Sequence, residues 1–335
     1  MTRPPHHHRP EGARVDADDI ARALQPSPRR FTVTTHRKPD GDAAGSMIAM
    51  ARMLGRLGHD VVMWHVDGPG LPADLAWLLD PGEQVLAGPI PDAAERTLVS
   101  VDAATSHRVC DDDPTSLGTP IINIDHHHDD PAWGDINLID GGASSTAELV
   151  VRVADALGVS IDERMALPLY VGLVTDTGRF SYSSTGPEAY RVAARLVEAG
   201  VDPGAVYRRV YEGVPLGNLR LAGRAIAGAR TARDGRLAVA VITRDDIAEA
   251  GGDDSDGVAE ALRSAEGVVV SAVIREVADG EWRVSTRAAG DDVDVSAIAA
   301  QEGGGGHRAA AGFTSHRSPD EIVALIGDGM AAQGA

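Results

Sequence analysis

Four short segments of the sequence place histidine or aspartate residues after an apolar run. They are, in chain order, His36, Asp40 and Asp42; Asp102; Asp125, His126, His127 and His128; and Asp176. Imidazole and carboxylate ligands together suit hard to borderline divalent ions such as Mn²⁺. Two such ions about 3.5–4 Å apart can activate a bridging hydroxide and hold the attacking and leaving oxygens of a phosphoryl group. The spacing therefore indicates a two-metal site for phosphoester chemistry, with Asp102 as the natural shared carboxylate.

Each segment also has a purely structural interpretation. An aspartate in the first segment can simply be the N-cap of the helix that follows the turn. Asp102, taken alone, can be an ordinary loop carboxylate. Asp176 ends an apolar helix, where its charge opposes the helix dipole unless a cation lies nearby. One of the three consecutive histidines is expected to be structural, and His128 has no assigned role.

The composition excludes several classes of protein. The 335 residues include 31 Lys and Arg against 50 Asp and Glu, which gives a net charge of -19 at pH 7. Tight, sequence-independent binding of long nucleic acid needs a basic stripe that neutralises phosphates, so this acidity argues against it. Aromatic residues make up only 4% of the chain, so an extended surface for stacking bases is not expected. A small anionic substrate stays compatible, because a single site can be locally positive.

Cysteine and hydropathy patterns suggest a compartment. Cys110 is the single cysteine, so the chain has no disulfide of its own and no cysteine-based zinc cluster. No apolar run approaches the roughly 18 residues of a membrane span, and the N-terminus lacks an apolar signal core. We expect a protein of the reducing cytoplasm that has no membrane partner.

The elements that must position these residues alternate between strands and helices. Strands are predicted at Phe31–Thr35, Asp60–Val66, Leu98–Val101 and Pro120–Ile124, and helices at Asp19–Leu24, Asp42–Gly58, Ala73–Leu79, Ser144–Leu157, Asp162–Val174 and Pro187–Ala199. Such alternation is typical of an α/β fold with a parallel sheet. Open α/β sheets bind ligands at the carboxyl ends of their strands. We therefore expect the histidines and aspartates to meet at that edge.

The C-terminal part of the chain has a different pattern. Connecting helices at Gly200–Gly213 and Leu216–Gly228 lead to strands at Leu237–Ile242, Val268–Val277 and Trp282–Thr286, with helices at Asp256–Ser264 and Pro319–Ile326. The dipeptide Asp279-Gly280 predicts a tight hairpin between the last two strands. The glycine run before His307, followed by a predicted small-residue helix, is interpreted as an anion-binding turn. These features indicate a second, smaller, mixed α/β domain.

The order of these motifs resembles the DHH phosphoesterase family, which is named for its Asp-His-His sequence. The matching segments are those of His36 to Asp42, Asp102, Asp125 to His127, and Asp176, and the run from Gly303 to Gly312 looks like the signature of the DHH-associated domain. The predicted organisation is a disordered arm over residues 1–15, an N-terminal parallel-sheet DHH catalytic domain over 16–200, a helical linker over 201–230 and a DHH-associated substrate-binding domain over 231–335. The resemblance implies an active site in the cleft between the two domains.

The resemblance also implies a role for individual residues near the metals. One ion would be held by His36, Asp40 and Asp102, and the other by Asp42, Asp102, His126 and Asp176. His127 would approach the substrate phosphate and stabilise charge in the transition state. Asp125 would orient a histidine from behind. The residues implied in catalysis are thus His127, Asp125 and the shared Asp102.

In the second domain the resemblance implies a binding site for the far phosphate or 5′ end of the substrate. The residues that would form it are Arg287, Gly304, Gly305, Gly306 and His307. The glycines would let backbone amides approach the phosphate. Ala288 follows Arg287 where the family often has serine, so one substrate hydrogen bond is expected to be missing.

Length and domain plan are similar to the branch of the family that hydrolyses short oligoribonucleotides, linear dinucleotides such as pApA and pGpG, and pAp to AMP and phosphate. The resemblance implies two divalent metal ions, Mn²⁺ foremost with Mg²⁺ or Co²⁺ as alternatives, and a homodimer. Other interpretations within the family are a single-strand-specific exonuclease and a cyclic dinucleotide phosphodiesterase. A non-catalytic nucleotide-binding regulator is an alternative from another class, although every expected ligand position is filled.

Overall fold

The computed structural model describes residues 12–25, 29–90, 92–110, 114, 119–128, 130–253, 255, 257–290 and 292–335. The chain forms two compact units, Met1–Val210 and Tyr211–Ala335, whose boundary lies within the linker predicted over residues 201–230. The run His6 to His8 and most of the arm predicted over residues 1–15 lie outside the described residues. No helix in the described ranges combines the length and the apolar character needed to cross a bilayer.

The first unit consists of a parallel sheet whose strands alternate along the chain with helices. Its strands are β1 Ala13–Arg14, β2 Arg30–Thr34, β3 Asp60–Trp64, β4 Val85–Leu86, β5 Thr97–Val101, β6 Ile121–Asp125 and β7 Ile136–Ile139. Its helices are α1 Ala17–Leu24, α2 Gly41–Arg56, α3 Ser106–Val109, α4 Thr146–Ala156, α5 Glu163–Asp176, α6 Pro187–Glu198 and α7 Pro203–Tyr211. The 7-stranded sheet has the order β1-β7-β6-β5-β2-β3-β4, and its strand pairs are parallel. The predicted parallel α/β architecture is confirmed.

The central strands of this sheet are buried along their whole length. Every residue of β5 and β6 is buried, and both strands read as nearly continuous apolar runs. This is typical of parallel strands that are covered by helices on both faces. The strands and helices predicted before residue 200 agree with the observed ones to within two residues at each end, except for the helix predicted at Ala73–Leu79. There the chain makes only a short 3₁₀ turn, Ala76–Leu78. Farther along the chain, the helix predicted at Gly200–Gly213 begins at Pro203 and the helix predicted at Pro319–Ile326 continues to Ala332.

Helices α2 and α5 approach each other closely because glycines face the contact. A Cβ atom on Gly45 would lie 2.2 Å from the carbonyl oxygen of Pro168, and one on Gly172 would lie 2.7 Å from Oδ1 of Asp42. Pro168 lies inside α5 and lacks an N–H group, so the carbonyl of Arg164 has no helical donor. The guanidinium of Arg52 donates to that carbonyl instead. The two helices are therefore joined both by close backbone packing and by this arginine.

The second unit has a mixed sheet. Its strands are β8 Arg230–Ala232, β9 Leu237–Ile242, β10 Val270–Ala278, β11 Glu281–Ala288, β12 Gly305–His307 and β13 Ala310–Ser315, in the order β12-β13-β11-β10-β9-β8. Its helices are α8 Leu216–Ala227, α9 Arg244–Ala250, α10 Val258–Arg263, α11 Val295–Ala300 and α12 Pro319–Ala332. Among the described strands of this second sheet, only β9 and β10 pair in parallel. The hairpin predicted at Asp279-Gly280 is confirmed, because β10 and β11 pair antiparallel across it.

The glycine segment near residue 305 differs from its prediction. The helix predicted after His307 is wrong, because Ala310–Ser315 forms strand β13 and pairs with both β11 and β12. A Cβ atom on Gly304 would lie 2.3 Å from the carbonyl oxygen of Gly312, and Gly306 has φ of 140°. Glycine is therefore required where the two short strands turn back on each other. Pairing with β11 overrides the helix propensity of the alanine run.

Candidate functional site

The carboxyl ends of three adjacent strands carry the predicted histidines and aspartates of the first unit. In the sheet, β6, β5 and β2 are neighbours, and they end at Asp125, Val101 and Thr34. The next residues along the chain bring Asp102, His126 and His36 to the same edge. This is the edge at which open α/β sheets bind ligands.

One group of potential ligands consists of His36, Asp40 and Asp102. Nδ1 of His36 lies 2.7 Å from the carbonyl oxygen of Arg37 and donates to it, which leaves Nε2 without a proton in the neutral ring. That Nε2 atom lies 3.5 Å from Oδ2 of Asp102 and 3.9 Å from Oδ2 of Asp40. His36 is only 5% exposed, and Nε2 makes no hydrogen bond with any described residue. A buried acceptor nitrogen that faces two carboxylates suits a metal ligand.

Asp40 has two uses at once. Its Oδ1 accepts the backbone N–H groups of Asp42, at 3.1 Å, and Ala43, at 3.0 Å, and so caps helix α2. Its Oδ2 faces His36. The cap and the metal ligand, which the sequence presented as alternatives, are therefore compatible in one side chain.

A second group consists of Asp42, His126 and Asp176. Asp42 lies in the first turn of α2, and Asp176 is the last residue of α5. Nε2 of His126 lies 3.3 Å from Oδ2 of Asp176 and 3.7 Å from Oδ1 of Asp102. The two groups therefore meet at Asp102, which turns one carboxylate oxygen toward each.

Asp42 receives backbone hydrogen bonds that the sequence did not reveal. Its Oδ2 accepts the N–H of Thr146 at 2.6 Å, and its Oδ1 accepts the N–H of Ala147 at 2.9 Å, both from the N-terminus of α4. Burial, together with the charges of Asp102 and Asp176, raises the pKa of Asp42 well above its usual range. Burial and Asp102 raise the pKa of Asp176 in the same way. Two carboxylates that resist ionisation beside a third indicate a place where cations are needed.

Asp102 has the geometry of a shared ligand. It is 2% exposed, and its backbone has φ of 57°, a left-handed conformation that aspartate tolerates better than most residues. The hydroxyl of Thr146 donates to its Oδ1 at 3.0 Å. Burial acts to raise the pKa of Asp102, but the nearby imidazoles of His36 and His126 outweigh it and hold that pKa below its usual value.

His127 lies beside these groups and is held by Asp125. Its Nδ1 donates to Oδ1 of Asp125 at 2.7 Å, and Asp125 is fully buried. Burial lowers the pKa of His127, but the hydrogen bond and charge of Asp125 prevail and raise it to about 9. Nη1 of Arg108, in helix α3, lies 3.3 Å from Nε2 of His127. His128 is exposed.

Arg108 and Thr146 are site residues that sequence reasoning missed. Arg108 belongs to a helix of 4 residues, Ser106–Val109, whose length is too short for a periodic signal. Thr146 is the first residue of α4, directly after the N-cap residue Ser145, and the sequence marks this position only as the start of a helix. The one sequence signal that could have identified Arg108 is that it closely follows Asp102 along the chain.

The donor set fits divalent cations. It combines two imidazole nitrogens with carboxylates in two adjacent groups, which is the chemistry that Mn²⁺ and similar ions accept. Of its carboxylates, Asp42 and Asp102 are 1% and 2% exposed, and burial of two charged carboxylates is costly without compensating positive charge. The buried Nε2 of His36 has a vacant acceptor position in the same place. The residues present therefore fit two divalent ions.

The candidate substrate residues of the second unit lie on β11 and on or just before the edge strand β12. Arg287 of β11 pairs with Ala310 of β13, which pairs in turn with His307 of β12, so the backbones of Arg287 and His307 share one row of the sheet. Nε of Arg287 lies 2.7 Å from Oε1 of Glu260 in α10, and its Nη1 donates to the carbonyl of Thr286 at 3.0 Å. Gly305 and Gly306 belong to β12, and Gly304 directly precedes it.

Comparison with known proteins agrees with this geometry. The bifunctional oligoribonuclease and PAP phosphatase NrnA of Thermus thermophilus is 35% identical over 302 residues, which are 88% of this chain and 87% of that protein. The protein of the same name from Bacillus subtilis is 26% identical over 305 residues, 89% of this chain and 93% of that protein. The crystal structure of an exopolyphosphatase-related protein from Bacteroides fragilis has a TM-score of 0.84 and 25% identity, with 94% of this chain and 95% of that chain covered.

Two family models match the two units in turn. The model of the DHH family N-terminal domain matches residues 30–173, which include the whole candidate metal site apart from Asp176. The model of the DHHA1 domain matches residues 234–328, which include Arg287 and the glycine segment. The resemblance inferred from the motifs is thereby confirmed, and the chain belongs to the DHH family.

Proposed function

We propose that this chain is a metal-dependent phosphoesterase that hydrolyses short oligoribonucleotides and linear dinucleotides to mononucleotides, and pAp to AMP and phosphate. The observation that carries the proposal is the meeting of two ligand groups at Asp102, which offers one oxygen to each. A shared carboxylate between two imidazole and carboxylate groups suits the cleavage of a phosphoester bond. The relatives named as oligoribonuclease and PAP phosphatase support the choice of substrate.

In this proposal His36, Asp40 and Asp102 hold one divalent ion, and Asp42, Asp102, His126 and Asp176 hold the other. When bound, the ions supply Lewis-acid activation of water and neutralise charge on the phosphate. The carboxylates fix where the reacting phosphate lies, and the burial of Asp42 and Asp102 keeps bulk water from competing for their positions. Mn²⁺ is the proposed ion, with Mg²⁺ and Co²⁺ as alternatives that the same donor set accepts.

His127 and Arg108 provide positive charge next to the ligand groups. Asp125 keeps the Nδ1 proton of His127 in place, so Nε2 is the atom that faces outward from this pair. The raised pKa of His127 favours the imidazolium, which can donate to a phosphate oxygen and stabilise charge that develops during cleavage. Arg108, 3.3 Å from the same nitrogen, would add a second donor to that phosphate.

We extend the proposal to the second unit, where Arg287, Gly304, Gly305, Gly306 and His307 bind the far phosphate of the substrate. The nitrogens Nε and Nη1 of Arg287 are occupied by Glu260 and Thr286, which directs the remaining donors of the guanidinium to a ligand. A net charge of -19 supports a small substrate over a long polyanion. We also propose that the chain is cytoplasmic and forms a homodimer. Light scattering of the purified chain tests the dimer.

The deciding experiment is a substrate panel with the purified chain. It comprises pAp, pApA, pGpG, cyclic di-AMP, a five-nucleotide RNA and a long single strand, each with Mn²⁺ and with EDTA. We expect AMP from pAp and pApA with Mn²⁺, little product from the long strand or the cyclic dinucleotide, and none with EDTA. Preference for the long strand or the cyclic compound would replace this proposal by an exonuclease or a cyclic dinucleotide phosphodiesterase. Tight binding of pApA without any AMP would indicate a regulator.

A further inference from the structure

The backbone amides at the N-terminus of helix α4 donate hydrogen bonds to the candidate metal ligand Asp42. The first amides of a helix have no partner within the helix and must find one elsewhere. In α4, those of Thr146 and Ala147 donate to the two oxygens of Asp42, and that of Glu148 donates to the hydroxyl of Ser145. Thr146 is fully buried and Asp42 is 1% exposed, so water does not replace these bonds. The helix therefore fixes the orientation of the Asp42 carboxylate.

Thr146 reaches a second carboxylate with its side chain. Its Oγ1 donates to Oδ1 of Asp102 at 3.0 Å. The same Oδ1 atom lies 3.7 Å from Nε2 of His126, while Oδ2 of Asp102 lies 3.5 Å from Nε2 of His36. The terminal torsion of an aspartate is broad, so a donor on one oxygen is needed to select the rotation in which each oxygen faces a different group.

We propose that Thr146 is a positioning residue that sets the carboxylates of Asp42 and Asp102 relative to each other and thereby the separation of the two divalent ions. This inference rests on the proposed two-metal phosphoesterase function. Thr146 holds Asp42 through its backbone and Asp102 through its hydroxyl, so one rigid residue joins the second ligand group to the shared ligand. Its branched Cβ restricts the side-chain torsion, and complete burial of the residue leaves the hydroxyl little room to turn away.

The test removes the hydroxyl and keeps the backbone bond. Thr146→Val retains the shape of the side chain and the N–H bond to Asp42, whereas Thr146→Ser retains the hydroxyl. Binding of Mn²⁺ is measured by titration calorimetry, and the spin coupling between two bound Mn²⁺ ions is measured by electron paramagnetic resonance. We expect Thr146→Val to bind one ion normally, to weaken binding of the second by about 10- to 100-fold and to lose the coupled signal. Thr146→Ser is expected to restore both.

A matched control is Thr32→Val in strand β2. Thr32 is 1% exposed, and its hydroxyl makes no hydrogen bond with any described residue. This substitution therefore makes the same change from buried threonine to valine without removing a hydrogen bond. We expect it to bind both ions as the wild type does. Melting of each metal-free variant verifies that it is folded; if Thr146→Val is unfolded, Thr146→Ala against Thr146→Ser makes the same comparison.

Two results would overturn the inference. One is normal affinity and a normal coupled signal in Thr146→Val; the other is a folded Thr146→Ser that is as defective as Thr146→Val, which would make packing the cause. Failure of the wild-type chain to bind a pair of ions is a different result, because it contradicts the proposed function itself. Neither readout depends on which phosphoester the chain cleaves.

Discussion

Asp102 shows at the level of one residue how the fold and the site are linked. It follows directly on β5, and its left-handed backbone turns the chain away from the strand direction at that point. Most side chains are strained in this conformation, but aspartate and asparagine adopt it more readily. The residue type that the turn accepts is thus also one that can offer an oxygen to each ligand group.

Substitution of Asp102 by alanine is expected to lower kcat/KM for pApA with Mn²⁺ by at least about 100-fold, because the Lewis-acid contribution of a bound ion is worth several kcal/mol. The measurement is steady-state release of AMP at saturating Mn²⁺. The control is Asp74→Ala, which removes an exposed carboxylate of the same unit and should leave the rate unchanged. Wild-type rates from Asp102→Ala would rule out a site that depends on this shared carboxylate.

Helices α2 and α5 show the same link at the level of elements. Asp42 lies on α2 and Asp176 ends α5, so the distance between these two ligands depends on how closely the helices pack. Gly45 faces the backbone of Pro168, where any side chain would collide with a carbonyl oxygen that cannot move aside. At Gly55, in the same helix, a Cβ would meet no described atom within 4 Å apart from the neighbouring backbone of its own helix. The two glycines therefore provide a matched pair for substitution.

Gly45→Ala is expected to reduce the free energy of unfolding by about 1–3 kcal/mol, as overpacking of a close contact does. It should also weaken metal binding, because α2 and α5 carry ligands of the same group. Gly55→Ala is expected to raise the free energy of unfolding by about 0.5–1 kcal/mol, because alanine favours the helix over glycine. Urea denaturation measures both. Equal stabilities for the two variants would show that the helices are free to separate at Gly45.

How far the sequence predicted these elements depended on the range of the interactions. Asp102 and His126 were predictable because an apolar run and a following polar residue are local signals. The contact of Thr146 with Asp102 joins residues 44 positions apart, and no local pattern marks it. The helix predicted after His307 is wrong for a related reason, since the alanine run favours a helix locally and only its pairing with β11 makes it a strand.

At the level of the whole molecule, metal ligands and candidate phosphate ligands belong to separate units. All the candidate metal ligands lie before residue 177, while Arg287 and the glycine segment lie in the second sheet. Loss of a second-unit contact should therefore change binding more than it changes the chemical step. A different family model matches each of the two units, which agrees with this division of roles.

Arg287→Ala is expected to raise KM for pApA by about 10- to 100-fold, the value of a hydrogen bond to a charged group, with kcat changed far less. The double substitution Arg287→Ala with Glu260→Ala should recover part of this loss, because Glu260 alone would repel the phosphate. Arg283→Ala, an exposed arginine of the same strand, controls for the change in net charge. A fall in kcat with KM unchanged would instead place Arg287 in the chemical step.

The two oxygens of Asp40 have a consequence for the recognition of inactive relatives. A diverged relative that lost metal binding would still retain this aspartate, because its Oδ1 caps α2 and selection for a stable helix would preserve it. Asp176 has no such second use, since a negative charge at the C-terminal end of α5 opposes the helix dipole. Once the ions are no longer bound, the charge of Asp176 destabilises the fold, and selection no longer prevents its substitution. In diverged copies of this chain, the residue at position 176 is therefore a better indicator of retained activity than the residue at position 40.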